Sequence, residues 1–242
     1  MLKRFVFFIS VFLSYISYSQ NVTYFDSIQK LEKKVSQKEF LKSVLNVPFD
    51  KAVSNLSSFE KLTNKAEIIA KAIKNDTALA ATYIQQSLLL HFTSKDQQAI
   101  ETTLKAIRIY EALQRTEDVA NSYLELGWKL KYRDLNKAFF YMQKGLKILE
   151  KDIPDSWRLI GGYNNFGVLH QYKKQLDSAL YFHKKSLQLS VISSDSIGIP
   201  FAQTHIGEVY LKKQQFKLAK KYEYEVTTGE SLWDPADILK NL

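Results

Sequence analysis

Residues 163–189 read YNNFGVLHQYKKQLDSALYFHKKSLQL. Apolar and aromatic side chains recur at helical spacing on both sides of a polar turn. Tyr163, Phe166 and Leu169 come before it, and Leu176, Leu180 and Leu187 after it. Gly167 sits where two helices folded against each other must approach closely. A second small residue, Ala179, follows twelve positions later. A hairpin of this kind cannot bury its apolar side alone, so it has to be stacked on further hairpins.

The chain supplies them. Ser87, Gly127, Gly167 and Gly207 are spaced by 40 residues each, and each lies late in an apolar-striped helix. The next small residue comes twelve later in three units (Ala99, Ala179, Ala219). In the Gly127 unit it comes one residue early, at Ala138. That predicts a shorter turn at Arg133-Asp134 and an extra residue in the following loop. Capping signals open each unit: Asp76-Thr77, Thr116 with Glu117, Asp155-Ser156 and Asp195-Ser196, whose side-chain oxygens can accept from first-turn N–H groups. The repeats are therefore read as 76–115, 116–154, 155–194 and 195–232. Residues 20–75 form a helical lead-in, broken at Pro48, that serves as a degenerate or capping hairpin.

These residues resemble the tetratricopeptide repeats. That pattern wants an aromatic, a Leu-Gly pair and a Tyr on the first helix, then Ala, an aromatic and Ala on the second. Tyr123, Leu126-Gly127 and Leu130 follow it, as do Tyr163, Phe166-Gly167 and His170 with Ala179, His183 and Ser186. Ile206-Gly207 and Tyr210 with Phe216 and Ala219 follow it again, and Tyr83, Ser87, Leu90, Ala99 and Ala106 follow it more weakly. The resemblance covers roughly Thr77 to Glu230 and implies an all-α fold, a right-handed superhelix of stacked antiparallel hairpins. The departure is the 40-residue period, against about 34 in the standard repeat. HEAT-like repeats share that longer period and are the alternative fold, but the Gly-to-Ala spacing of twelve favours the tetratricopeptide reading.

The 242 residues carry a formal charge of +9, 45% apolar residues, eight Gly, four Pro and no Cys. The missing cysteine excludes disulfides, thiolate metal sites and lipid attachment through an N-terminal cysteine. Met1 to Ser19 reads as a signal peptide. Lys3 and Arg4 precede an apolar run from Phe5 to Ile16, and Ser17 and Ser19 suit cleavage before Gln20. An uncleaved signal anchor is the alternative; either way the body is exported, to the periplasm or another extracytoplasmic space. The basic residues lie as pairs over many helices, among them Lys173-Lys174, Lys184-Lys185 and Lys212-Lys213. That is the pattern of solvated faces, and no nucleic-acid partner is expected. Trp233-Asp234-Pro235 and Ala236–Leu242 read as the start of a further repeat, so the chain is expected to be cut from a longer protein or to be a truncated gene product.

No catalytic constellation is found, and neither an enzyme activity nor a cofactor or metal is expected. His91, His170, His183 and His205 lack metal-ligand spacing, and His170 and His183 stand where the repeat pattern has packing aromatics. Gly161-Gly162 lacks the ending of a phosphate loop. The resemblance implies a groove lined by first-helix positions one, four and five after the small residue and three before it. Of the residues there, Trp128, Lys131, Tyr132, Asn164, Gln171, Tyr172, Glu208 and Lys212 are the candidate partner-binding set. Trp128, Tyr132 and Tyr172 would anchor, Asn164 would pair with a peptide backbone through both donor and acceptor, and Lys131 and Lys212 would receive acidic groups. A protein or peptide ligand is expected. A signal segment followed by long repeats and an abrupt end resembles the extracytoplasmic part of bacterial sensor proteins, where a membrane helix and a histidine kinase or DNA-binding domain follow. A stand-alone periplasmic scaffold is the alternative.

Overall fold

The structure, a computed structural model, describes residues 24–228, so the expectations for Met1–Ser19 and for Trp233–Leu242 fall outside the described residues. Among the described residues there are twelve α-helices and no strand. They are α1 (24–31), α2 (Gln37–Leu45), α3 (Phe49–Ser54), α4 (Leu56–Ala72), α5 (Asp76–Phe92) and α6 (Asp96–Ala112) in a first compact unit, residues 1–114. The second unit, residues 115–242, holds α7 (Thr116–Leu130), α8 (Leu135–Asp152), α9 (Arg158–Tyr172), α10 (Leu176–Ile192), α11 (Gly198–Lys212) and α12 (Phe216–Thr228). Among the described residues no helix is long and apolar enough to cross a membrane.

In the first unit the lead-in shares one core with α5, which contributes Ala78 and Leu89. Phe25, Phe40, Leu41, Val44, Phe59 and Leu62 are almost wholly buried together. Ser36 starts α2 with a reciprocal cap: its hydroxyl accepts from the Glu39 N–H at 3.3 Å, and the Glu39 carboxylate accepts from the Ser36 N–H at 3.0 Å. The stretch from Phe49 to Ala72 is two helices rather than one. Asn55 breaks it and caps α4, accepting from the Ser58 N–H at 3.1 Å.

The hairpins α5–α6, α7–α8, α9–α10 and α11–α12 are the repeats, and their small residues have equivalent surroundings. The Ser87 hydroxyl donates to the Ala99 carbonyl at 3.0 Å and lies 2.6 Å from the Thr103 hydroxyl. A methyl group at Gly127 would lie 2.8 Å from the Ala138 carbonyl oxygen, and one at Gly167 2.6 Å from the His183 ring. One at Gly207 would lie 3.4 Å from Tyr222 Cβ and 3.7 Å from the Ala219 oxygen. All four point at the facing helix of their own hairpin. Two more close approaches, Gly145 against Ala120 and Gly162 against Leu146, hold neighbouring helices together and fall outside the 40-residue pattern.

Helix starts depart from expectation. Asn75, not Asp76, caps α5, and α7 begins after Arg115 with no side-chain cap. Ser156 and Asp195 do accept from first-turn N–H groups. Glu117 instead reaches the next hairpin, accepting from the Ser156 hydroxyl at 2.8 Å and from Arg158 Nε at 3.2 Å. The short turn of the Gly127 unit is real but takes a different form. The turns after α5, α9 and α11 each carry a residue at positive φ (Ser94, Lys174, Gln214), whereas α7 unwinds after Leu130 with Lys131 still in the right-handed region.

Candidate partner-binding face

The second unit brings its first helices side by side, α9 against both α7 and α11. The early end of α7 takes Lys131 and Tyr132 off the helix and into the turn, a correction to their expected helical placement. There Tyr132 is 74% exposed, and its ring lies 5.5 Å from that of Tyr172, whose hydroxyl donates to the Tyr132 hydroxyl at 3.0 Å. Burial, then that hydrogen bond and the nearby charges of Tyr132 and Glu208, push the Tyr172 hydroxyl up to about 12. Lys131 Nζ sits 3.8 Å above the Trp128 ring and 4.6 Å from that of Tyr132. Among the described residues it has no carboxylate partner, and desolvation lowers its pKa. Such a cation is held by aromatic faces and left uncompensated.

Beneath this row runs a buried polar chain whose direction can be deduced. The Lys212 ammonium can only donate, and it contacts Gln171 Oε1. The other end of that amide, Gln171 Nε2, must then be the donor to His183 Nε2 at 3.0 Å. His183 is thereby neutral with its proton on Nδ1, which donates to Asn164 Oδ1 at 2.9 Å. Burial, helped by the charges of His205, Lys212 and His170, lowers the His183 pKa to about 3. Its ring is fully buried, lies against Gly167 and stacks on His205 at 5.0 Å.

Two expectations change. Gln171, only 8% exposed, is an internal link and not a groove contact. Asn164 cannot offer both a donor and an acceptor, because His183 takes its carbonyl oxygen; what it has left is its NH2 group, which has no partner among the described residues. His183 was legible as a packing residue, but its hydrogen-bonding role was not, since nothing in the spacing says that Asn164 and Gln171 of α9, His183 of α10 and Lys212 of α11 converge. Glu208 is exposed and accepts from His205 Nδ1 at 3.1 Å. His170 does pack, its ring within about 5 Å of Phe139, Phe166 and Phe182. The corresponding positions of the first unit differ: His91 faces Asp96 at 3.2 Å, and Phe92 leans on Phe49. Among the described residues no three His, Asp or Glu converge as a metal would require.

No family model and no curated protein matches the chain. Solved structures do. BtubC (BKLC) from P. vanneervenii superposes with a TM-score of 0.69 at 16% identity, over 93% of this chain and 91% of that one. A signal-transduction ATPase (STAND) protein with a tetratricopeptide-repeat sensor, from Pyrococcus horikoshii, gives 0.67 at 16% identity, over 84% of this chain and 33% of that one. A putative kinesin light chain with nearly identical TPR-like repeats, from Podospora anserina, gives 0.55 at 13%, over 86% and 94%. At such identities the likeness concerns the fold. The chain is thus an all-α protein of stacked helix hairpins, with a fold like that of tetratricopeptide-repeat proteins.

Proposed function

We propose that the chain is an exported protein-interaction module, the sensory N-terminal part of a signal-transduction protein, and that α7, α9 and α11 receive an extended segment of a protein partner. Export rests on the basic and apolar pattern of Met1–Ser19, and the sensory role has an analogue in the tetratricopeptide-repeat sensor of the archaeal ATPase. The observation that carries the binding role is a set of donors fixed in advance: Lys131 poised over Trp128, Lys212 tied to Gln171, and the NH2 group of the largely buried Asn164, whose carbonyl oxygen is held by His183. A partner there must bring acceptors, either main-chain carbonyls or carboxylates. Pre-organised donors lose little freedom on binding, which favours affinity.

The test is selection of random peptides displayed on phage against the whole chain, followed by anisotropy titration of labelled winners. Winners should be enriched in Asp and Glu. Asn164→Asp, Lys131→Ala and Lys212→Ala should each weaken them by roughly 5–10-fold, the worth of one charged hydrogen bond. Winners that bind the triple variant as well as the parent would remove this face from consideration.

A further inference from the structure

Between α7 and α9 lies a second feature that shares only Trp128 with the partner-binding row, a pocket of about 230 Å³ lined by Asn121, Glu125, Trp128, Trp157, Gly161 and Asn165. Three of these residues oppose helix formation without an intramolecular return. A methyl group at Gly161 would meet nothing within 4 Å, whereas at the neighbouring Gly162 it would lie 2.8 Å from Leu146 Cδ2. Packing therefore accounts for one glycine and not the other, although a mid-helix Gly costs roughly 0.5–1 kcal/mol against Ala. Asn121 and Asn165 sit inside α7 and α9, away from the caps where Asn is favoured, and among the described residues their amides have no partner.

The lining states what would fit. The Arg158 guanidinium lies 4.7 Å from the Trp157 ring and Lys131 Nζ 3.8 Å from that of the half-buried Trp128, but Trp157 is still 69% exposed and offers flat apolar surface. Two carboxamides offer both donors and acceptors. Arg158, which also lines the pocket, is already paired with Glu117, and Glu125 acts on Lys129, so neither charge is left to select an ion. The volume is below the range for drug-sized ligands. An apolar side chain alone would leave both amides unpaired, which is costly. A pyranose satisfies the whole lining: its C–H face lies on an indole, and its hydroxyl groups, each both donor and acceptor, meet the amides. The missing side chain at Gly161 supplies room for the ring.

We propose that this pocket binds one ring of a neutral saccharide. The proposal is independent of the peptide-binding face, because its variants leave Lys131, Asn164 and Lys212 untouched. The test uses the full chain with methyl glucoside, methyl galactoside and N-acetylglucosamine, read by saturation-transfer NMR and tryptophan fluorescence. At least one sugar should bind saturably at millimolar concentration. Gly161→Leu, Trp157→Ala and Asn165→Ala should each lower that affinity about tenfold or more, and Gly161→Leu should do so without lowering the thermal midpoint. No saturable binding of any of the three sugars overturns the proposal. So does binding that all three variants retain.

Discussion

Gly167 and Gly207 hold the same place in the repeat for different reasons. Opposite Gly167 stands the wholly buried imidazole of His183, tied at both nitrogens and unable to retreat from an added methyl 2.6 Å away. Gly167→Ala should therefore cost roughly 1–3 kcal/mol through overpacking. At Gly207 the nearest atom would be at ordinary contact distance, so Gly207→Ala should gain about 0.5–1 kcal/mol from helix propensity. Thermal unfolding of the two variants should shift in opposite directions. His183 also makes stability depend on pH. Its pKa is about 6.5 in the unfolded chain and about 3 in the fold. Above pH 6.5 both states hold it neutral and it contributes no slope. As the pH falls from there toward about 3, only the unfolded chain takes up the proton, and stability is lost at up to about 1.4 kcal/mol per unit. His183→Phe keeps the ring but not the titration. It should be less stable near pH 7, where Asn164 and Gln171 lose their partner, yet lose less than the parent on going to about pH 4.5 in urea unfolding.

The helices themselves respond to the chain's turn chemistry. Lys174 and Gln214 hold φ values of 58° and 59°, a left-handed conformation that costs a side-chain-bearing residue roughly 1–2 kcal/mol and a glycine nothing. Lys174→Gly and Gln214→Gly should each raise stability by about 0.5–1 kcal/mol once glycine's own entropy is deducted, whereas Arg133→Gly, in the turn without such a residue, should not. A differential scan of the three variants separates them. This level also shows what could be read in advance. The 40-residue interval and the twelve-residue step within hairpins were legible because Ser87, Gly127, Gly167 and Gly207 all face the second helix of their own hairpin. The one-residue shortening before Ala138 was legible as a count, but not its form: whether α7 would unwind or keep its last turn depends on backbone conformations that Lys131 and Tyr132 adopt equally well either way. The pocket is not legible in the sequence for a related reason. Asn121, Trp157 and Asn165 look like ordinary surface residues until α7 and α9 lie together, and only then do they line one pocket.

At the scale of the molecule, the chain divides into compact units at residues 1–114 and 115–242, and within the second unit each hairpin packs on its sequence neighbours. Stability in such an arrangement is a sum of hairpin terms and nearest-neighbour interfaces, so damage stays near its source. Gly167→Ala tests this directly because it acts at one contact inside α9–α10. Hydrogen exchange followed by mass spectrometry should show faster exchange in α9 and α10, a smaller effect in α8 and α11, and parental rates in α4, α5 and α6. The gradient is the informative part, since coupling that decays along the chain lets a ligand at α9 stiffen α7 and α11 while leaving the first unit's own opening reactions unchanged. Equal acceleration in both units would mean that the chain opens as a single cooperative body, and a signal arriving at the donor-lined face would then be felt at every helix alike.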